Sequence, residues 1–380
     1  MRSNKYTLEK LAKIKYGKNQ KKVVDDNGKI PIYGTGGLMG YANQYLYDKP
    51  SVLIGRKGTI DKVRFVVEPF WTVDTLFYTE INESIVLPHY LYYALSAIDL
   101  KQYNEGTTIP SLRTETLNRL EFEIPSIDEQ KQILNILEPI ENKMELNQKI
   151  NDNLEQQAQL LFSQDFGQYT FATNDSEESD LPDTWKYYKM VDLCKHIKPG
   201  TNFQPKRVEN GIPFLNVRCV NQGYIDTSDA KYITEAEYTR VHKTWQPEEN
   251  DLLISRIGTL GLVAVIRKED LPLAVHYNFI NIKASKLPYE FMYFLLKSKQ
   301  FQNAYHFIKK QSVQEYVTID EVEDIRIPLP TLNTSDFSLY KEIYTMIVNN
   351  QRESRTLMHL RDELLPRLMS GELEVSDVEL

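Results

Sequence analysis

The sequence predicts an α+β fold written twice: two tandem mixed-β domains with helices, separated by two long antiparallel helices that form a coiled coil, the whole a pseudo-two-fold internal repeat. Three observations predict it. Short motifs recur in order at a register near 200 residues. Two heptad seams recur at a register of 203. The acidic charge collects in the segments that carry those seams, and the rest of the chain is mildly basic.

Val52-Leu53-Ile54-Gly55-Arg56-Lys57-Gly58-Thr59-Ile60 lines up with Leu252-Leu253-Ile254-Ser255-Arg256-Ile257-Gly258-Thr259-Leu260. Leu87-Pro88 matches Leu287-Pro288 in the same register. With small insertions, Leu117, Leu120, Phe122 and Pro125 match Val322, Ile325, Ile327 and Pro330. Leu8, Leu11 and Gly17 match Met190, Leu193 and Gly200 at a register near 182. Four matches in order indicate a duplication. Each half then reads as an opening segment followed by β-type runs bounded by Gly and Pro, at 51–54 and 63–67 or 251–254 and 262–266. A helix near 88–99 or 288–304 comes next, then a last strand ending at Ile124-Pro125 or Ile327-Pro328. The expected boundaries are a first domain at 1–126, a first spacer helix at 127–166 and an acidic linker at 167–180. A second domain follows at 181–332, a second spacer helix at 333–371 and a tail at 372–380.

In the first long helix Ile133, Leu137, Ile140, Met144, Asn147, Asn151, Leu154, Ala158 and Leu161 alternate by four and three, a heptad seam. Tyr340, Ile343, Ile347, Asn350, Ser354, Leu357, Arg361 and Leu364 repeat that spacing in the second. Pro139 is expected to kink or break the first helix near its first turns, and Pro366 to limit the second. Asn147 and Asn350 hold equivalent positions; a buried Asn lowers stability but selects partner and register. The alternative is that both seams pack on the globular domains. The order domain, helix, domain, helix makes antiparallel pairing the simplest connection. Residues 131–163 would span roughly 50 Å. One turn of B-DNA is about 34 Å, so such a pair could act as a ruler between two DNA-reading heads.

The 380 residues are 41% hydrophobic and 26% charged, enough for two or three domains with cores of their own. No apolar stretch approaches the ~18 residues that span a bilayer. Met1-Arg2-Ser3-Asn4-Lys5 leads into no apolar segment of the kind a secretory signal requires, so a cytoplasmic location is expected. Cys194 and Cys219 make no disulfide framework, and His196 beside Cys194 is too little for a metal site, so none is expected. The net charge of −8 is uneven: residues 1–126 carry +3, 127–180 carry −9, 181–330 carry +2 and 331–380 carry −4. Binding to DNA depends on local charge, here at Lys18, Lys21, Lys22 and at Arg56, Lys57, Lys62, Arg64, rather than on the total.

Catalysis is not expected. Gly34-Thr35-Gly36-Gly37 and Gly40 look superficially like a nucleotide loop, but Pro31 precedes them and no helical period follows. An Asn/Asp-Pro-Pro-Tyr/Phe stretch, a Walker lysine loop and a nuclease constellation are all missing from the sequence. The 24 tyrosines read as core and helix-packing residues.

Several stretches resemble the specificity subunits of Type I restriction–modification systems, over essentially the whole chain. Leu181-Pro182-Asp183-Thr184-Trp185 resembles the usual start of the second recognition domain in that family. Ile30-Pro31-Ile32-Tyr33-Gly34 with Gly36-Gly37 and Gly40-Tyr41, and Phe70-Trp71-Thr72-Val73-Asp74-Thr75, resemble one common first domain. Thr107-Thr108-Ile109-Pro110-Ser111-Leu112 and Ile124-Pro125-Ser126-Ile127-Asp128-Glu129-Gln130-Lys131 are further similarities. The second half departs, with Gln311-Ser312-Val313-Gln314-Glu315 and Asn333-Thr334-Ser335-Asp336 at the corresponding places.

The resemblance implies a non-catalytic chain with two target-recognition domains, each reading half of a split, asymmetric double-stranded DNA site. It implies methyltransferase subunits, two in number, and restriction motor-nuclease subunits as partners. S-adenosylmethionine, ATP and Mg would then sit on those partners, with no cofactor on this chain. Lys18, Asn19, Gln20, Lys21 and Lys22 form the candidate base-reading loop of the first half, with Thr201, Asn202 and Gln204 as its counterpart. Arg56, Lys57 and Thr59, and Arg256 and Thr259, sit in turns whose recurrence suggests a shared backbone contact or a purely structural turn. The rival reading is a coiled-coil adaptor of a defence system that binds only protein; whether the globular halves touch DNA separates the two.

Overall fold

The computed structural model describes residues 4–173, 178–202, 204–221, 223–228, 230–310, 314–332 and 336–375. Gln311-Ser312-Val313, Asn333-Thr334-Ser335, residues 174–177 of the expected linker and the last five residues of the tail lie outside the described residues. The chain forms two compact units. One comprises residues 1–147 and 352–380; the other is the continuous stretch 148–351.

The first unit contains β1 (Asn4–Thr7), α1 (Leu8–Leu11), β2 (Ala12–Tyr16), β3 (Ile30–Gly34), β4 (Gly37–Ala42), β5 (Ser51–Gly55), β6 (Val63–Val66), β7 (Trp71–Thr72) and β8 (Leu76–Ile81). It continues with α2 (Pro88–Ser96), α3 (Thr114–Asn118), β9 (Glu121–Ile124) and the start of α4 (Ile127–Phe166). An antiparallel sheet runs β2-β8-β5-β6, and a smaller one runs β4-β3-β7 with β3 and β7 parallel. β5 is central and its Val52-Leu53-Ile54 is buried on both faces, which suits a β-branched apolar run. The start of α4 explains a sequence motif. Ser126 and Glu129 form a capping box, with the Glu129 carboxylate accepting from the Ser126 N–H at 3.0 Å and the Glu129 N–H donating to Ser126 Oγ at 3.3 Å. Gln130, fully buried, then accepts from the Leu87 N–H and donates to the Ile85 and Pro125 carbonyls, fastening the helix to the sheet domain.

The second unit contains β10 (Trp185–Lys189), α5 (Met190–Leu193), β11 (Cys194–Pro199), β12 (Arg207–Val208), β13 (Ile212–Leu215), β14 (Val220–Asn221), β15 (Tyr224–Ile225) and β16 (Lys231–Ile233). α6 (Glu235–Val241), β17 (Leu252–Ser255), β18 (Val263–Val265), β19 (Ala274–Val275) and β20 (Phe279–Ala284) follow. α7 (Tyr289–Lys297), α8 (Lys299–Phe307), α9 (Ile319–Glu323), β21 (Arg326–Pro330) and α10 (Ser338–Ser370) complete the order. Its main sheet, β11-β20-β17-β18, repeats the order of the first unit, and the parallel pair β13–β19 repeats β3–β7. The expected single helix at 288–304 is two helices. They break at Ser298, whose hydroxyl accepts from the Phe301 N–H and so caps α8.

Within the first unit the early half of α4 packs on the late half of α10. Ile133, Leu137 and Ile140 share a core with Leu364 and Leu368 and with Leu8, Leu11 and Tyr90 of the sheet domain; Met144 and Leu357 pack at its edge. Arg361 faces Glu141 and Lys143 faces Glu353, so the two helix segments run antiparallel. Within the second unit Leu154, Ala158 and Phe162 pack with Tyr340, Ile343 and Ile347 and with Phe291 of α7; Leu161 lies beside them. The Asn151 amide donates to the Ile347 carbonyl and Tyr340 to Asp165, again antiparallel. Each seam therefore serves two purposes, joining helix to helix and helix to sheet domain. Of the kink or break expected at Pro139, the break does not occur: α4 is one helix through it. A proline in a helix costs about 3 kcal/mol, and the neighbouring Ile136, Leu137 and Ile140, all buried, offset that cost by packing. α10 likewise passes Pro366 and ends at Ser370, with Leu364 and Leu368 buried on either side.

Candidate nucleic-acid interface

The two Arg-containing turns stand on one repeated backbone frame. The Arg56 N–H donates to the Thr75 carbonyl at 2.8 Å, and the Arg256 N–H to the Asn278 carbonyl at 2.7 Å. Each of these carbonyls lies in the turn leading into the neighbouring strand, β8 or β20. On the other side the Arg56 carbonyl accepts from Leu112 N–H at 3.0 Å and the Arg256 carbonyl from Val317 N–H at 3.1 Å. Tyr316-Val317 thus does in the second unit what Ser111-Leu112 does in the first, although the residue types differ. Both turns close through a glycine at positive φ, Gly58 at 88° and Gly258 at 83°.

The side chains diverge. The Arg56 guanidinium donates from Nη1 to the Asp74 carbonyl at 2.8 Å and lies 5.1 Å over the Tyr16 ring. Lys57 projects into solvent, where the second unit has the half-buried Ile257; Thr59 is half-buried and Thr259 exposed. Arg256 is half-buried, and its Nε finds no partner among the described residues.

The two loops after β2 and β11 also share a frame. Gly17 N–H donates to Leu76 O and Lys18 N–H to Thr72 O; Gly200 N–H donates to Phe279 O and Thr201 N–H to Val275 O. A side chain at either glycine would collide with backbone, since a Cβ would lie 2.0 Å from Val73 O or 2.1 Å from His276 O. Beyond them Lys18, Asn19, Lys21 and Lys22 are exposed and Gln20 half-buried. Asn19 Oδ1 accepts from the Lys21 N–H, and the Gln20 carbonyl from Val23 and Val24, so the loop is a defined turn. In the second unit Asn202 and Gln204 are exposed, but Thr201 is only 7% exposed and its carbonyl accepts from Tyr277. Thr201 is a frame residue, placed like Lys18 along the backbone but not offered to solvent.

The structure adds one grouping that sequence reasoning missed. Gly34-Thr35-Gly36-Gly37 is the turn of the β3–β4 hairpin, with Gly34 paired to Gly37, and no helix follows it. That turn shares a cleft with Thr59, Lys62 and Arg64. Lys62 and Arg64 are visible in the sequence as local basic charge, but their meeting with residues some 30 positions earlier is a product of the sheet. Among the described residues no group of three or more His, Cys, Asp or Glu is placed to hold a metal ion. Burial pushes the Cys194 thiol up to about 12, so it stays protonated. No helix among the described residues is long and apolar enough to cross a membrane.

Comparison with known proteins places this repeated frame. The family described as "Type I restriction modification DNA specificity domain" matches residues 2–156 and again 182–353. The chain is 26% identical over 351 residues to the Type I restriction enzyme MjaIX specificity subunit of Methanocaldococcus jannaschii, covering 88% of this chain and 80% of that one. It is 22% identical over 342 residues to the MjaVIII specificity subunit of the same organism, covering 86% and 77%. The crystal structure of a Type I restriction-modification system S subunit from M. genitalium shares the fold with a TM-score of 0.52 at 18% identity, over 97% of this chain and 96% of that one. With one match on each half of the duplication, the chain belongs to the Type I restriction modification DNA specificity family and carries its domain twice.

Proposed function

We propose that each compact unit reads one half of a bipartite, asymmetric double-stranded DNA target, and that the chain brings methyltransferase and restriction subunits to that target. As a DNA specificity protein of its family, the chain selects sequence; the chemistry belongs to its partners. Methyltransferase subunits, two per chain, would carry S-adenosylmethionine, and the restriction motor-nuclease subunits ATP and Mg, in the cytoplasm. The observation that carries the reading is a backbone frame repeated in both units under exposed loops that differ. Lys18, Asn19, Lys21 and Lys22, with Gln20 half-buried between them, face solvent in one unit where Asn202 and Gln204 do in the other. A common frame fits contacts every duplex offers, and divergent loops fit different bases. Arg56, Lys57, Thr59, Arg256 and Thr259 are the turn residues assigned to the duplex, and Lys18 to Lys22 with Asn202 and Gln204 the readers. The test is to map methylated positions in cells making this chain with the methyltransferase subunit of its own system. A two-part motif with a fixed spacer is expected, with only one part changing when residues 1–126 are exchanged for another first domain. Methylation that ignores the exchange would overturn the assignment.

A further inference from the structure

We propose that the cleft between the β3–β4 turn and β6 binds a DNA phosphate through Lys62 and Arg64, a contact that the second unit does not make. The proposal rests on the DNA reading above. The cleft encloses about 190 Å³; Thr35, Gly36, Thr59, Lys62 and Arg64 stand around it and Leu53 lies at its floor. No carboxylate lines it among the described residues. Of the adjacent acids, Asp61 pairs with Lys101 at 2.8 Å, and Glu68, which lines the neighbouring cavity with Arg64, accepts from the Tyr33 hydroxyl at 2.8 Å. Two exposed cations therefore meet two hydroxyls and a glycine backbone in a concavity whose own described lining carries no anion. A phosphate supplies the missing charge and accepts from guanidinium, ammonium and hydroxyl alike.

Arg64 is positioned in advance. Its guanidinium lies 5.5 Å over the Tyr33 ring. Burial and the Glu68 hydrogen bond raise the Tyr33 phenol to about 12, so the ring stays neutral beneath the cation. A Cβ at Gly37 would come within 3.1 Å of Arg64 Nη2, so the hairpin turn leaves the guanidinium its place.

The second unit serves as an internal control. Arg64 pairs with Leu53 across β5 and β6, and the residue paired with Leu253 across β17 and β18 is Ala264. Ala264 is fully buried in a cluster with Leu215, Cys219 and Ile225. The longer connection between β13 and β17 supplies Cys219 and Ile225, which cover the face that stays open over Arg64.

The experiment measures duplex affinity against salt for the chain assembled with its own methyltransferase subunits, unsubstituted and as Lys62→Ala/Arg64→Ala. The expected result is a salt slope shallower by about 0.9, because one phosphate contact contributes roughly that much. Affinity should fall by about tenfold or more, with the methylated motif unchanged. Arg64→Lys should keep most of the slope. Wild-type slope and affinity in the double variant would overturn the proposal while leaving the DNA reading intact. A motif relaxed at one base pair would make Arg64 a base reader and overturn the phosphate assignment. If the unsubstituted assembly neither binds nor methylates DNA, the DNA reading itself fails.

Discussion

The Asn350 amide donates to Asn151 Oδ1 at 2.8 Å, in the middle of the seam between the two long helices of the second unit. In the first unit Asn147 donates to Ser354 Oγ at 3.2 Å and to Glu353 at 2.8 Å. Residue 350 is the repeat equivalent of 147 and residue 354 that of 151, so each unit uses the same pair of heptad positions. The asparagines do not meet each other's equivalents; each meets the position one turn away, as antiparallel helices require. Replacing Asn151 by Leu should cost about 1–3 kcal/mol by stripping polar groups of their partner. The unfolding midpoint should fall accordingly, and adding Asn350→Leu should recover part of the loss. An unchanged melting curve for the single variant would show that the pair contributes nothing.

Gly17→Ala and Gly200→Ala should each destabilise their own unit by about 1–3 kcal/mol or more, since an inserted methyl must push backbone aside. Thermal melting of either variant at the wild-type midpoint would contradict the close approaches to Val73 and His276.

Arg56 and Lys57 should separate by readout. Arg56→Ala should weaken duplex binding and also lower stability, by about 1 kcal/mol for the lost carbonyl contact, because its guanidinium is tied to Asp74 and Tyr16. Lys57→Ala should leave melting unchanged and weaken duplex binding at low salt. The reverse pattern in a paired melting and anisotropy measurement would reassign both.

Acidification should weaken the second unit. Burial holds His196, His242 and His276 below the ordinary histidine range, so each stays neutral in the folded chain where the unfolded chain takes up a proton. Stability is therefore full above the unfolded value of about 6.5 and falls as pH drops through and below it. His242 carries a specific consequence: its Nδ1 faces the Trp245 carbonyl at 3.2 Å and its Nε2 accepts from Val275 N–H at 3.4 Å. Protonation removes that acceptor. His242→Gln should flatten the decline in urea midpoint between pH 7.5 and 5.5; a decline equal to that of the wild type would exclude His242 as a contributor.

Much of this architecture is legible in the residues. Val52-Leu53-Ile54 and Leu252-Leu253-Ile254 announce the two central strands because a strand buried on both faces must be continuously apolar. The seams are legible because heptads are local. What escapes a linear reading is whatever depends on distant covering. Nothing in Arg64 or Ala264 alone says that one face is open and the other closed; that follows from the short connection after β4 and the long one after β13. Nor does Tyr316-Val317 resemble Ser111-Leu112, because a strap held by backbone hydrogen bonds leaves its side chains free to vary. The break at Ser298 shows a cap overriding an apolar run that reads as one helix.

The division of the chain into units has a consequence for its synthesis. The second unit is one uninterrupted stretch, whereas the first is closed by residues 352–380, made some 200 positions after its sheet domain. On the ribosome the second unit can therefore complete itself while the first still exposes the patch of Ile133, Leu137 and Ile140 that Leu364 and Leu368 will cover. The half that begins first is the half whose residues are completed last. A chain interrupted near residue 351 would lose the integrity of its beginning rather than of its end.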